Sequence, residues 1–150
     1  MYRIQTKSSR LRKVVEIAAR LALGGFFAYA AVPKMRDPAL FADAVSRYDM
    51  LPGRTLGVFA LFLPAFEFVC GLALAFSPFR REAAVAICAM LSMFMVALVQ
   101  ALVRGLDISC GCFGLPESGG AREIAVALVR DAALLVPAVW LALARDRTER

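Results

Sequence analysis

Four apolar runs, each of about the 20 residues that a membrane-spanning helix needs, dominate this chain: Val14 to Val32, Thr55 to Phe76, Ala83 to Val103 and Ile124 to Ala144. At about 1.5 Å of rise per residue, such a helix crosses a hydrocarbon core of about 30 Å. No alternating apolar and polar pattern competes with them, and a segment in lipid must satisfy its own backbone hydrogen bonds, which a helix does unaided. The expected fold is all-α: an integral membrane four-helix bundle, formed by a single domain over residues 1–150, with the lipid bilayer as its solvent. Hydrophobic residues make up 61% of the chain, against about 45–50% in soluble domains.

Between the first two runs lies the stretch from Pro33 to Arg54. Asp37-Pro38 reads as a helix start, and Leu40, Phe41, Ala44, Val45 and Tyr48 recur at helical spacing with Asp43 and Arg47 between them. This predicts a short amphipathic helix on the membrane surface between helices 1 and 2, ended by Leu51-Pro52-Gly53. The alternative is a packed connector with no role of its own.

Basic residues set the expected orientation. Arg3, Lys7, Arg10, Arg12 and Lys13 precede the first run, Arg80 and Arg81 fill the short second connection, and Arg145, Arg147 and Arg150 follow the last. On the alternate side, Lys34, Arg36, Arg47, Arg54, Arg104 and Arg122 are spread over longer loops and diluted by acidic residues. The positive-inside rule then puts both termini in the cytoplasm and the third connection outside. The net charge of +6 is explained by this topology. It forms no stripe with interleaved aromatics, so no nucleic-acid partner is expected. A basic start followed by an apolar run and Ala28-Tyr29-Ala30 also fits a cleaved signal peptide. The apolar pattern reaches back through Val14, Val15 and Ile17, which exceeds a usual signal core, so the first helix is expected to stay.

The chain has no histidine, the usual general base and zinc ligand, which removes most hydrolase and zinc-enzyme readings, and no zinc site is expected. Its chemistry lies instead in a polar, Gly-rich stretch, "RGLDISCGCFGLPESGG", Arg104 to Gly120. Cys110 and Cys112 flank Gly111 there, and glycine tolerates the backbone angles that so small a disulfide ring requires. Closing it strains the bond, and strained disulfides are the reducible, oxidising ones. A structural crosslink gains by constraining a long loop, which this ring does not do. Exchange therefore suits the pair better than stapling, with Cys110 and Cys112 as the reacting thiols. Asp107, Ser109, Gly111, Phe113 and Gly114 form the supporting loop. Cu(I) binding by the two thiols and an inert turn remain open beside it.

Several of these residues also make a pattern. Gly105, Asp107, Ser109, Cys110, Gly111, Cys112, Phe113 and Gly114 spell G-x-D-x-S-C-G-C-F-G. "KMRDPALFADAVSRYDMLP" holds K-x-x-D-P with a later Tyr and Leu-Pro, and "PAFEFVCG" holds P-x-x-E-x-x-x-G through Pro64, Glu67 and Gly71. "LVRDAALL" centres on Arg130, with Asp131 in place of a more usual Asn. Together these resemble the MauE family, the methylamine-utilisation membrane proteins within the wider DoxX-like group, over nearly the whole chain. The resemblance implies a four-helix protein of the bacterial inner membrane that works beside a periplasmic thioredoxin-like partner. Such a pair supports maturation of a disulfide-rich exported enzyme such as methylamine dehydrogenase. A non-catalytic anchor or assembly factor that docks a redox partner is the competing class.

Two further sets of residues lie inside the apolar runs. Glu67 and Arg130 each cost at least about 2.5–3.5 kcal/mol to insert unpaired. Counted from Thr55 and Arg122, Glu67 lies about 18 Å and Arg130 about 12 Å into their helices, a gap that a long Arg side chain spans. A buried ion pair, with Asp131 and Gln100 at hand, is expected to fix helix register; a polar site for protons or a quinone electron partner is the alternative. Cys70 and Cys88 fall at a similar depth and form a possible second dithiol, although buried cysteine ordinarily behaves as a small hydrophobe.

Overall fold

The structure, a computed structural model, describes residues 2–106 and 120–144, with side chains from residue 10 onward. It contains helices α1 (Tyr2–Arg36), α2 (Pro38–Ser46), α3 (Gly53–Phe76), α4 (Arg80–Val103) and α5 (Ala121–Leu143) in chain order. No strand occurs among the described residues. Arg10–Arg36 of α1 and the whole of α3, α4 and α5 are long and apolar enough to cross a membrane. The expected boundaries of α3, α4 and α5 agree within a few residues. The first helix instead runs from Tyr2 straight through Pro33 to Arg36. A proline removes one donor from the ladder, yet the turn continues beyond it, with the Asp37 N–H bonding the Pro33 carbonyl at 3.2 Å.

Packing is most extensive between α1 and α3 and between α4 and α5; contacts of α3 with α4 and of α1 with α5 close the ring. Leu74, Ile87 and Ile124 fill its interior, while Phe62, Phe66, Val129, Val136 and Leu143 stand exposed on its outside. Helices that are apolar on every face belong in lipid, and the chain is a multi-pass membrane protein. Lipid gives helices little hydrophobic reason to associate, so close contact between small residues takes over. The tightest contact is between α1 and α3. A Cβ on Gly24 would lie 2.5 Å from the Gly71 carbonyl oxygen, and one on Gly71 would lie 2.7 Å from the Gly24 carbonyl oxygen and 2.8 Å from the Ala28 nitrogen. The final glycine of P-x-x-E-x-x-x-G is thus where the two backbones touch.

The two ends of the bundle are built differently. At one, Arg20 donates to the carbonyls of Leu74 and Ala75 at 3.0 and 3.3 Å, and Arg81 donates to that of Ala142 at 3.2 Å. These carbonyls belong to the last turns of α3 and α5, which have no helical donors of their own. Glu16 and Arg80 meet at the same end, 4.0 Å apart. At the other end sits α2, started as expected by Asp37, whose carboxylate accepts the Leu40 N–H at 2.9 Å. It ends at Ser46 and buries Phe41 against the bundle, so the amphipathic segment is packed by its apolar face. Arg104, at the end of α4, ties this region down by donating to the Tyr48 carbonyl at 3.2 Å and to Asp49 at 3.3 Å.

The stop of α4 is written in the sequence. Gly105 has φ 64°, the left-handed conformation that glycine adopts without penalty. Its N–H bonds the Leu102 carbonyl at 3.1 Å while the Leu106 N–H bonds that of Ala101 at 3.0 Å, the paired closure of a Schellman motif. Leu106 then packs against Leu98, Ala101, Ile124 and Ala127. The first glycine of G-x-D-x-S-C-G-C-F-G is therefore the residue that ends α4 and releases the chain toward the thiols.

Candidate functional site

A partly open cavity of about 210 Å³ lies at the α2 end of the bundle, and all five helices contribute to its wall. The wall is mostly apolar: Phe26 and Phe27 from α1, Phe41 from α2, Phe59 from α3, Phe94 from α4 and Leu134 from α5. Four charged side chains interrupt it, Lys34, Glu67, Arg130 and Asp131.

Lys34 is the centre of this group. Its Nζ donates to Glu67 Oε2 at 2.7 Å, and both side chains are only 5% exposed. A charged donor on a charged acceptor at that distance is the strong form of hydrogen bond. The ammonium also lies 5.5 Å from the ring centre of Phe41 and 5.6 Å from that of Phe94, within the roughly 6 Å over which a ring face attracts a cation. One side chain thereby ties α1 to α2, α3 and α4. The local geometry follows from helix direction. Side chains lean toward the N-terminus of their helix, so Lys34, near the end of α1, runs back down the bundle toward Glu67, one turn before Gly71 on α3.

Arg130 and Asp131 form the second charged element. Arg130 Nε and Nη2 donate to Asp131 Oδ1 at 2.9 and 2.8 Å, and Asp131 is buried. The pair expected between Glu67 and Arg130 is thus a different pair. Glu67 bonds Lys34, and Arg130 is engaged by its own neighbour. All four groups nevertheless line one cavity. Gln100 is exposed and does not line it. Cys70 is buried, Cys88 half-buried, and both are free thiols packed against the main apolar core. Cys110 and Cys112 lie outside the described residues, as do Asp107, Ser109, Gly111, Phe113 and Gly114. The segment that carries them leaves α4 and enters α5 at the cavity end of the bundle.

In the sequence Lys34 figures as a loop charge and as the first residue of K-x-x-D-P, with no part in the buried pair expected for Glu67. Its signal was the spacing: Leu23, Phe27, Ala30 and Ala31 are buried on α1, and continuing their steps of three and four residues lands on Lys34.

Residues 12–144 match the family model described as Methylamine utilisation protein MauE. The chain belongs to the MauE family. Among MauE relatives, the "Methylamine utilization protein MauE" of Methylophilus methylotrophus is 35% identical over 105 residues, covering 69% of this chain and 55% of that protein. The protein of the same name from Paracoccus denitrificans is 36% identical over 104 residues, covering 69% of this chain and 56% of its own. The chain therefore spans about half the length of these curated MauE relatives. No solved structure matches it.

Proposed function

We propose that this protein is the membrane component of a periplasmic thiol–disulfide redox system, exchanging disulfides through Cys110 and Cys112 with a thioredoxin-like partner. It would support maturation of an exported enzyme, and the names of its relatives, which concern methylamine utilisation, favour methylamine dehydrogenase as that enzyme. The reading rests on one observation above the others. In sequence the Cys-Gly-Cys segment joins the Gly105 stop of α4 to the start of α5, and both of those helix ends lie opposite the basic cluster of Arg20, Arg80 and Arg81. Lys34 adds weight, because it is buried on Glu67 and so drops out of the loop charges on the Cys110 side. The positive-inside rule then favours a cytoplasmic basic end and a periplasmic thiol pair in the inner membrane.

The exchange proceeds in two displacements. A thiolate of the pair attacks the partner's disulfide, forming a mixed disulfide and releasing one partner thiolate. The second cysteine then attacks the mixed disulfide, closing Cys110–Cys112 and releasing the partner as a dithiol. The reverse sequence reduces Cys110–Cys112 when the partner arrives reduced. The orientation is tested by applying a membrane-impermeant thiol reagent to spheroplasts after mild reduction. Labelling of Cys110 or Cys112, with Cys70 and Cys88 spared, is the expected result. Labelling of the pair only from the cytoplasmic face overturns the proposal.

A further inference from the structure

The cavity at Lys34 has the properties of a ligand site. Its charges are balanced within the protein, Lys34 against Glu67 and Arg130 against Asp131. An ionic ligand would bring an uncompensated charge into a low-dielectric space, so the cavity selects an uncharged molecule. Its size sets a second limit. A cavity of about 150 Å³ accommodates one benzene ring, so the 210 Å³ here suits a single substituted ring. The walls supply flat partners for that ring in Phe26, Phe41, Phe59 and Phe94. Lys34 supplies polarity: an ammonium carries three protons, and its hydrogen bond to Glu67 uses one. The position fits a hydrophobic molecule that arrives through the bilayer.

We propose that this cavity binds the ring of a membrane quinone, with one carbonyl oxygen accepting a hydrogen bond from Lys34 and the isoprenoid tail in the surrounding lipid. The redox role of the site rests on the thiol-exchange reading above. Closing Cys110–Cys112 forms one S–S bond and releases two electrons and two protons. A quinone takes up both, its two C=O groups becoming the two C–OH groups of a quinol, so the electrons of the dithiol leave by a carrier that the cavity holds. The chain itself connects the two places. Tyr48 and Leu98 line the cavity, and both belong to the cluster that holds Leu106, the residue after the Gly105 stop.

The test is calorimetric titration of the full-length protein in lipid nanodiscs with decylubiquinone, whose fully substituted ring does not add to thiols. One saturable site per chain is expected. Lys34→Met should weaken binding about tenfold or more, as loss of a charge-assisted hydrogen bond does. Ala97→Phe provides the second variant: it enlarges a wall residue that belongs to neither ion pair, and it should abolish binding while the thermal transition persists. Decanoic acid, an anionic head on a tail of equal length, should not compete. No saturable binding, undiminished binding to Ala97→Phe, or competition by decanoic acid would each overturn the site, the last in favour of an acyl ligand. The variant C110S/C112S separates the two proposals. Quinone binding should persist in it, because the thiols are no part of the ring site; quinone binding by an unmodified chain that exchanges no disulfide upholds the site and sinks the thiol reading. Disulfide exchange by the unmodified chain without quinone binding does the reverse.

Discussion

Replacing Lys34 with alanine should destabilise the protein by about 3–5 kcal/mol, because it leaves the Glu67 carboxylate buried without its cation. Glu67→Ala should cost a similar amount by stranding the ammonium, which Phe41 and Phe94 stabilise only in part. The double variant Lys34→Ala with Glu67→Ala should be clearly more stable than the sum of the two losses predicts, since it removes both charges together. Unfolding in mild detergent, followed by circular dichroism, measures all three. The control is Glu67→Ala with Arg130→Ala, which should give no such relief, because Arg130 is held by Asp131 and its loss strands a second carboxylate. If the Arg130 double recovers stability and the Lys34 double does not, the pairing is wrong.

Gly71 should tolerate no side chain. Even Gly71→Ala puts a methyl group under 3 Å from two backbone atoms of α1, the Gly24 oxygen and the Ala28 nitrogen, and neither moves without moving the helix. We expect a loss on the order of 3 kcal/mol or more, the upper range for overpacking, and Gly71→Val should not accumulate in membranes at all. Gly57 is the comparison, because a Cβ there meets nothing within 4 Å; Gly57→Ala should leave accumulation unchanged or slightly raised, as a helix favours alanine. The clash has a consequence beyond stability. Parting α1 from α3 also parts Lys34 from Glu67, so any Gly71 variant that survives should lose the cavity.

These two results depend on features that differ in how far sequence discloses them. Lipid imposes a length and an apolarity on any spanning segment, so α3, α4 and α5 were legible within a few residues, and Asp37 announced α2 because a capping carboxylate must precede its helix. The end of α1 was not legible, since Pro33 reads as a stop and the ladder in fact continues past it. That placed Lys34 in a connection rather than on the buried face of α1. Depth along a helix placed Glu67 and Arg130 within reach of a long Arg side chain but did not say which cation faces which acid. The choice is made by the approach of α1 to α3 at Gly24 and Gly71, a contact between residues far apart in sequence. Gly105 is the opposite case. Its role as the stop of α4 was present in the motif, masked by the attention that two cysteines attract.

The central claim is that Cys110 and Cys112 exchange disulfides, and trapping tests it most directly. In cells that carry Cys110→Ser or Cys112→Ser, the surviving cysteine still attacks a partner disulfide, but the resolving thiol is absent and the mixed disulfide persists. The account predicts that one single variant accumulates a reducible species of higher mass, that this species contains a thioredoxin-like protein, and that the double variant loses both the species and maturation of the exported disulfide enzyme. A double variant that matures the enzyme normally, with no trapped species in either single variant, would contradict it and leave the segment as a docking surface.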